Sequence, residues 1–188
     1  MDRNYWNARY RTRDLVWSAR PNQFLVAEVA GLAPGRVLDL AAGEGRNAVW
    51  LAEQGWEATA VDYSDVAIDK ARGLATSRGV ALHAFVADAI EPLPGGPTFD
   101  LVVVAYLQLP PPDRSAALRN AAAAVAPGGL LLVISHDETN LEQGYGGPQD
   151  PAVLTGPLDV ATALDGFDIE KAERVERVVE TADGPRVA

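Results

Sequence analysis

Small residues and carboxylates are combined in one short stretch, residues 39–48, directly after an apolar run. Ala41, Gly43 and Gly45 leave room for a ligand to lie against the backbone. The spacing Gly43-x-Gly45-x-x-Ala48 also satisfies the loose fingerprint of dinucleotide-binding loops. The stretch therefore predicts a binding loop for a nucleotide-type cofactor, and the pattern alone does not decide which one.

The charge of this loop separates two classes of cofactor. Asp39 and Glu44 would repel the pyrophosphate of a dinucleotide such as NAD, which binds at a helix N-terminus. S-adenosylmethionine has no phosphate and carries an ammonium and a sulfonium, so nearby carboxylates attract it. We therefore expect S-adenosylmethionine as the cofactor, with a hydrogen bond from its ammonium to Asp39.

A second carboxylate follows the next apolar run, in the tripeptide Asp62-Tyr63-Ser64. An acid at this position can accept both ribose hydroxyls, a feature that the two cofactor classes share. Ser64 is a good N-cap for the following helix, which leaves Asp62 free to bind a ligand. We assign all three residues to the cofactor-binding set.

A third carboxylate, Asp88, ends the run before Ala89 and Ile90. It can accept a hydrogen bond from an adenine amino group, while Ala89 or Ile90 packs against the ring. The alternative is that Asp88 only forms a turn before Pro92.

Trp17 lies in an N-terminal stretch that is rich in arginine. An aromatic face can stabilise a sulfonium cation, so we expect Trp17 to be a lid residue over the cofactor. The arginines that crowd the first twenty positions are Arg3, Arg9, Arg11, Arg13 and Arg20. They form either a solvated helix face or a lid that brings positive charge over an acidic site.

Tyr106 and His136 follow the fourth and fifth apolar runs, where an acceptor substrate would bind. His136 has the ordinary pKa range and the position of a general base, although a polar loop residue without a catalytic role is the alternative. The polar residues around His136 make a weak ligand set for a metal, and we predict no metal site.

Short apolar runs alternate with helix-length segments along most of the chain. We predict strands over 36–40, 57–61, 80–87, 99–105 and 130–135, and helices over 46–54, 65–78, 114–125 and 158–164. Residues 136–151 are predicted as a loop and 167–181 as a strand, followed by a turn over 182–185. Such alternation indicates an α/β fold with a parallel sheet, whose ligands lie beyond the carboxyl ends of the strands.

The series VLDLAAGEGRN, VDYS, VADAIEPL, FDLVVVAYLQL and APGGLLLVISHD resembles class I S-adenosylmethionine-dependent methyltransferases in order and spacing. The resemblance covers roughly residues 35–135. It implies a Rossmann-like, doubly wound, mostly parallel sheet with helices on both faces. It also implies seven strands, the last antiparallel, and a methyl donor over strands one, two and four.

The flanking segments WNARY, VWSARPN and GYGGPQDPAVL look like a bacterial group of tellurite-resistance and thiopurine-type methyltransferases. That narrower likeness implies a thiol or a selenium or tellurium species as methyl acceptor. Two other functions stay open: an NAD-dependent oxidoreductase, and a non-catalytic module that binds S-adenosylmethionine. The loop 136–151 and the region around Tyr106 favour an enzyme.

Composition limits the partners and the architecture. With 188 residues, we expect one domain over 1–188: an N-terminal helical lid (1–34), a donor-binding core (35–135) and an acceptor-side part (136–188). The absence of cysteine excludes disulfides, thiolate metal sites and a cysteine nucleophile. A formal net charge of −10 and no long apolar run predict a cytoplasmic protein with a small-molecule acceptor and no nucleic-acid or membrane partner.

Overall fold

The computed structural model describes residues 2–93, 95, 98–181 and 184–187. The strands are β1 (Arg36–Leu40), β2 (Glu57–Asp62), β3 (His83–Val86), β4 (Phe99–Ala105), β5 (Val125–Ile134), β6 (Val178–Thr181) and β7 (Gly184–Val187). The α-helices are α1 (Arg3–Arg11), α2 (Gln23–Val29), α3 (Arg46–Glu53), α4 (Asp65–Arg78), α5 (Pro111–Ala124), α6 (Asn140–Gln143) and α7 (Pro157–Thr162).

The main sheet has the strand order β3-β2-β1-β4-β5, and every pair in it is parallel. The chain order reverses between β1 and β4, so the carboxyl ends of these two strands flank the switch point where such sheets bind ligands. Asp39 near the end of β1 lies opposite Ala60 of β2 and Val103 of β4. The predicted α/β fold with a mostly parallel sheet is confirmed.

Apolar side chains cover both faces of this sheet. On one face, Leu25 of α2 and Leu51 of α3 pack with Val103. On the other face, Ala117 and Ala121 of α5 pack with sheet residues of β1 and β4. The central strands read as continuous apolar runs because they are buried on both sides. The predicted arrangement of helices on both faces is therefore confirmed.

The bounds of helix α4 could be predicted from the sequence because residues at both of its ends are typical helix caps. The Ser64 side chain accepts a hydrogen bond from the Ala67 N–H at 3.1 Å, as an N-cap does. At the other end Gly79 adopts φ +68°, the left-handed conformation in which glycine commonly ends a helix. The helix spans 65–78 with Ser64 as its N-cap, as predicted.

Strand β5 differs from its prediction. It begins at Val125 rather than at 130, and the Pro-Gly-Gly turn lies within it as an irregularity in its pairing with β4. A Cβ at Gly129 would come within 2.9 Å of the Phe99 carbonyl oxygen, so the backbones approach closely there. Strand β3 is shorter than predicted and covers only 83–86.

The expected seven-stranded sheet is wrong for the residues described here. The main sheet has five strands, and β6 and β7 form a separate antiparallel hairpin. The strand predicted over 167–181 is present only from Val178. Residues 167–177 form no strand, and Lys171 in this segment contacts Glu28 at 2.6 Å. The turn predicted over 182–185 lies partly outside the described residues.

The region between β5 and β6 is less regular than the sheet. The predicted loop 136–151 contains the short helix α6, and a 3₁₀ helix follows over Pro151–Val153. The helix predicted over 158–164 is present as α7, over 157–162. Within the described residues, no helix is long and apolar enough to cross a membrane.

Candidate functional site

A cavity of about 560 Å³ lies beyond the carboxyl ends of β1, β2 and β4, within the size range of small-molecule sites. The predicted site residues that line it are Trp17, Asp39, Ala41, Gly43, Asp62, Tyr63, Asp88, Ala89, Tyr106 and His136. Since these residues come from six separate segments, the topology of the sheet and the N-terminal segment bring them together. A wider groove of about 1230 Å³ runs along β5 and shares Tyr106, His136 and Arg177 with this cavity.

Three predicted residues do not line the cavity. Gly45 begins α3 at φ +76°, and a Cβ there would lie 2.6 Å from the Cβ of Ala71. Ser64 is fully buried and donates a hydrogen bond to the Asn7 side chain, which fastens α1 to α4. Ile90 packs into the apolar cluster beneath α5. These three residues pack behind the residues that line the cavity and do not contribute to its surface.

The loop after β1 is held in a conformation that brings its backbone to the cavity. Ala41 has φ +60° and Gly43 has φ +55°, both in the left-handed region that non-glycine residues rarely adopt. A Cβ at Gly43 would lie 3.0 Å from the Tyr10 hydroxyl oxygen. The loop therefore lies directly against the N-terminal segment, with little room for a side chain at position 43.

Asp62 joins this loop to the end of β2. Its Oδ2 accepts a hydrogen bond from the Gly43 N–H at 2.9 Å, and its Oδ1 accepts one from the Ser64 N–H at 2.8 Å. Burial raises the pKa of the Asp62 carboxyl, although these two hydrogen bonds oppose the shift. Each oxygen still has a free lone pair, so Asp62 can accept two further hydrogen bonds from a diol.

Asp39 is almost fully buried at the end of β1 and makes one hydrogen bond, from the Ala48 N–H to its Oδ2 at 3.2 Å. Burial raises the pKa of its carboxyl from 3.8 to about 7, against the lowering effects of that hydrogen bond and of the Arg46 charge. Asp39 therefore has few partners of its own, and a bound cation would find it unsatisfied.

Glu44 is not available to a ligand in the way that its sequence position suggested. Its carboxylate accepts hydrogen bonds from the backbone N–H groups of Val16 (2.9 Å) and Trp17 (3.1 Å). It also forms an ion pair with Lys70 at 3.0 Å. Because these partners occupy it, the electrostatic comparison between cofactors depends on Asp39 and Asp62 instead.

The N-terminal segment covers one side of the cavity. Lys70 donates hydrogen bonds to the carbonyl oxygens of Tyr10 and Arg13, which anchors this segment to α4. Trp17 lines the cavity as expected of a lid residue, but the Arg9 guanidinium lies 5.0 Å from its ring centroid. A protein cation therefore already contacts the aromatic surface that we expected to face a sulfonium.

Tyr106 and His136 meet at the opposite end of the cavity. Their rings are stacked, with centroids 4.5 Å apart, and Tyr106 has the uncommon φ of +58° directly after β4. Burial, together with the charge of Arg177, lowers the pKa of His136 from 6.5 to about 4. His136 is thus neutral at pH 7 and too weakly basic to fit the ordinary general-base range on which its assignment depended.

Tyr10, Arg46 and Arg177 are among the cavity residues that were not predicted from the sequence. Tyr10 lies under the glycine loop, and burial together with the charge of Asp62 raises the pKa of its hydroxyl. Arg46 directly follows Gly45, so its position after the loop was a usable signal. Arg177 lies in the irregular segment before β6, where no pattern in the sequence pointed to the cavity.

Comparisons with known proteins agree with this architecture. A family model described as a methyltransferase domain matches residues 37–129. A demethylmenaquinone methyltransferase of Thermus thermophilus is 35% identical over 124 residues, which make up 64% of this chain and 54% of that protein. The chain thus spans about half the length of this curated relative.

Two solved structures illustrate the likeness of the fold. One was reported for the conversion of a disulfide bond into a thioacetal group during echinomycin biosynthesis. It has a TM-score of 0.78 and 24% sequence identity, and the match covers 98% of this chain and 86% of that chain. The other is a methyltransferase from Thiobacillus denitrificans in complex with S-adenosyl-L-homocysteine, with a TM-score of 0.52 at 21% identity, over 71% and 55%. With the matched domain and the strand order of its sheet, this chain is similar in sequence and in fold to methyltransferases.

Proposed function

We propose that this protein binds S-adenosylmethionine and transfers its methyl group to a small-molecule acceptor. The observation that supports this most is the convergence of Asp39, Asp62 and Asp88 with the glycine loop on one cavity. A phosphate-free, cationic nucleotide suits an acidic cavity better than a dinucleotide does. The similarity of residues 37–129 to a methyltransferase domain supports the same choice.

The nucleoside part of the donor would lie along β2 and β3. Asp62 can accept both ribose hydroxyls while it keeps its hydrogen bonds from Gly43 and Ser64. Tyr63 lies beside it on the cavity wall. Asp88 would accept from the adenine amino group, with Ala89 against the ring and Ile90 behind it.

The amino-acid end of the donor carries both an ammonium and a carboxylate, and it needs a partner for each. Asp39 would bind the ammonium, since it is buried with a single hydrogen bond. Arg46 lines the same cavity and interacts electrostatically with Asp39, so it would bind the carboxylate. A carboxylate next to a guanidinium is a suitable pair for a zwitterion.

When bound, S-adenosylmethionine supplies a methyl group on a sulfonium, which an acceptor nucleophile displaces in line as the carbon–sulfur bond breaks. The chain would contribute mainly position and exclusion of water. Trp17 and the N-terminal segment cover one side of the cavity, and Tyr106 limits the other. His136, with its lowered pKa, would position the acceptor rather than remove a proton at neutral pH.

A soft nucleophile needs little help from a base. A thiolate, selenide or telluride acceptor is already nucleophilic at neutral pH, which suits a cavity without a strong base. The likeness of the flanking segments to tellurite-resistance and thiopurine-type enzymes supports this acceptor class. The competing functions are an NAD-dependent oxidoreductase and a donor-binding module without activity.

Calorimetric titration with S-adenosylmethionine, S-adenosylhomocysteine and NADH tests the donor assignment. We expect micromolar binding of both sulfur nucleotides and none of NADH. Asp62→Asn should weaken their binding by about 10- to 100-fold, because hydrogen bonds to a charged group contribute about 1.5–3 kcal/mol. The matched control is Asp69→Asn, on the exposed face of α4.

The outcomes separate the candidates. NADH binding alone, or an unchanged affinity in Asp62→Asn, would contradict the donor site. Formation of S-adenosylhomocysteine is then followed with thiols and with selenium and tellurium oxyanions as acceptors. Donor binding without product from any acceptor would favour the non-catalytic module.

A further inference from the structure

Arg177 is a cavity residue that has no hydrogen bond or ion pair within the described part of the chain. Its guanidinium carbon lies 5.9 Å from the centroid of the Tyr106 ring. Among the residues that the structure describes, it makes no ion pair, whereas Arg174 in the same segment contacts Asp137 at 2.9 Å and Glu138 at 3.3 Å. A partly buried guanidinium keeps five donors, so Arg177 is available to bind an anion.

The position of Arg177 makes it accessible to an acceptor. Together with Tyr106 and His136 it lines both the donor cavity and the wider groove along β5. The two spaces therefore share these three residues, and a molecule entering along the groove would reach Arg177 without crossing the glycine loop. The stacked rings of Tyr106 and His136 offer a planar surface at the same place.

The local charge at this end of the cavity is positive. Arg46 and Arg177 lie close enough that the charge of Arg177 helps to lower the pKa of Arg46. The same charge contributes to keeping His136 neutral. Arg46 has Asp39 as an electrostatic partner, and the donor carboxylate would add to it. Of these two arginines, Arg177 is then the one without a counter-charge among the described residues.

We propose that Arg177 is a specificity determinant that binds the anionic group of the methyl acceptor, so that the acceptor is a small carboxylate or oxyanion. This proposal rests on the proposed methyltransferase function. Tyr106 and His136 hold the body of the acceptor between the guanidinium and the donor. A bidentate guanidinium–anion pair fixes orientation as well as charge, which in-line transfer requires.

Binding of a matched pair of thiols, 4-mercaptobenzoate and its neutral amide, tests this assignment in the presence of saturating S-adenosylhomocysteine. We expect the wild-type protein to bind the carboxylate about tenfold or more tightly than the amide. Arg177→Gln should remove this preference and Arg177→Lys should keep part of it, while the dissociation constant of S-adenosylhomocysteine stays unchanged. Arg119→Gln, at an exposed position of α5, is the control for a lost positive charge.

Several results would overturn the proposal. They are equal binding of the carboxylate and the amide, no binding of the carboxylate at millimolar concentration, and a carboxylate preference that survives in Arg177→Gln. If Arg177→Gln instead weakens S-adenosylhomocysteine, the anion is the donor carboxylate and the proposal is also wrong. If the wild-type protein does not bind S-adenosylhomocysteine, the proposed function fails, and the same pair measured on the ligand-free protein still decides the role of Arg177.

Discussion

Asp39 is a cavity carboxyl whose charge changes near neutral pH. Burial raises its pKa to about 7, well above its ordinary value of 3.8. At neutral pH the group is therefore divided between its acid and its carboxylate. A bound ammonium would favour the carboxylate, so the proposed donor site predicts a loss of protons when the donor binds.

We expect the affinity for S-adenosylhomocysteine to rise with pH up to about 7 and then to level off, because the ammonium binds the ionised form of Asp39. In Asp39→Asn this pH dependence should disappear. Titrations at a series of pH values above 5 measure it, and His136, with its pKa of about 4, stays neutral throughout. A flat profile in the wild-type protein would exclude Asp39 as the ammonium partner.

The same carboxyl affects folding with the opposite sign. Its pKa in the folded chain exceeds the ordinary value, so its contribution to stability is complete below about 3.8 and is lost as the pH rises to about 7. Urea denaturation of the wild-type protein and of Asp39→Asn across this range gives the contribution by difference. A contribution that grows with pH would contradict the direction of the pKa shift.

At the scale of elements, the packing of α3 on α4 depends on a residue without a side chain. Gly45→Ala would place a Cβ at φ +76° and 2.6 Å from the Cβ of Ala71. We expect a loss of about 2–4 kcal/mol in the free energy of unfolding, from left-handed backbone strain and overpacking together. Urea denaturation measures this loss.

Gly73 provides the matched control. It lies within α4, and a Cβ there would meet no atom within 4 Å. Gly73→Ala should therefore raise the free energy of unfolding by about 0.4–1 kcal/mol through the entropy of the unfolded chain. Equal effects of the two substitutions would mean that α3 and α4 do not pack as described.

The elements that could be predicted from the sequence are those with a strong local signal. The apolar run of β4 and the cap residues of α4 are patterns within each segment, so they predict these two elements without knowledge of the tertiary contacts. The segment 167–177 has no such signal, because the ion pairs that hold it, such as that of Lys171 with Glu28, join residues far apart in the chain. Elements with a regular local pattern could be predicted from the sequence, whereas contacts between residues far apart in the chain could not.

The same distinction applies to the candidate site. Asp39 and Asp62 were found because they end apolar strands, and parallel strands bring their carboxyl ends together. Arg177 was missed because only the path of an irregular segment places it at the cavity. The partners of Glu44 were missed because their contact with residues 16 and 17 depends on how the N-terminal segment folds back.

At the scale of the whole molecule, both apolar clusters share one sheet. Val37 and Val103 face one cluster while Leu38 and Val102 face the other, so neither cluster can be lost alone. The hydrogen bonds of Lys70 and Glu44 connect the N-terminal segment to the same body. We propose on these grounds that residues 1–188 behave as a single domain.

This proposal predicts one cooperative unfolding transition. The midpoint from circular dichroism should coincide with that from tryptophan fluorescence, because the chain carries Trp17 in the N-terminal segment and Trp56 in the core. S-adenosylhomocysteine at a concentration well above its dissociation constant should raise both midpoints together. Two separate transitions, with the fluorescence changing first, would show that the N-terminal segment folds independently.

The contacts of Glu44 with two parts of the chain have a consequence for the release of a bound nucleotide. One carboxylate belongs to the glycine loop and also holds the backbone of residues 16 and 17, with Lys70 as a shared partner. Leu15, Trp17, Ser18 and Ala19 form part of the cavity wall, so these hydrogen bonds would oppose the release of a nucleotide past this wall. Under the proposed methyltransferase function, we therefore expect the release of S-adenosylhomocysteine to be slow.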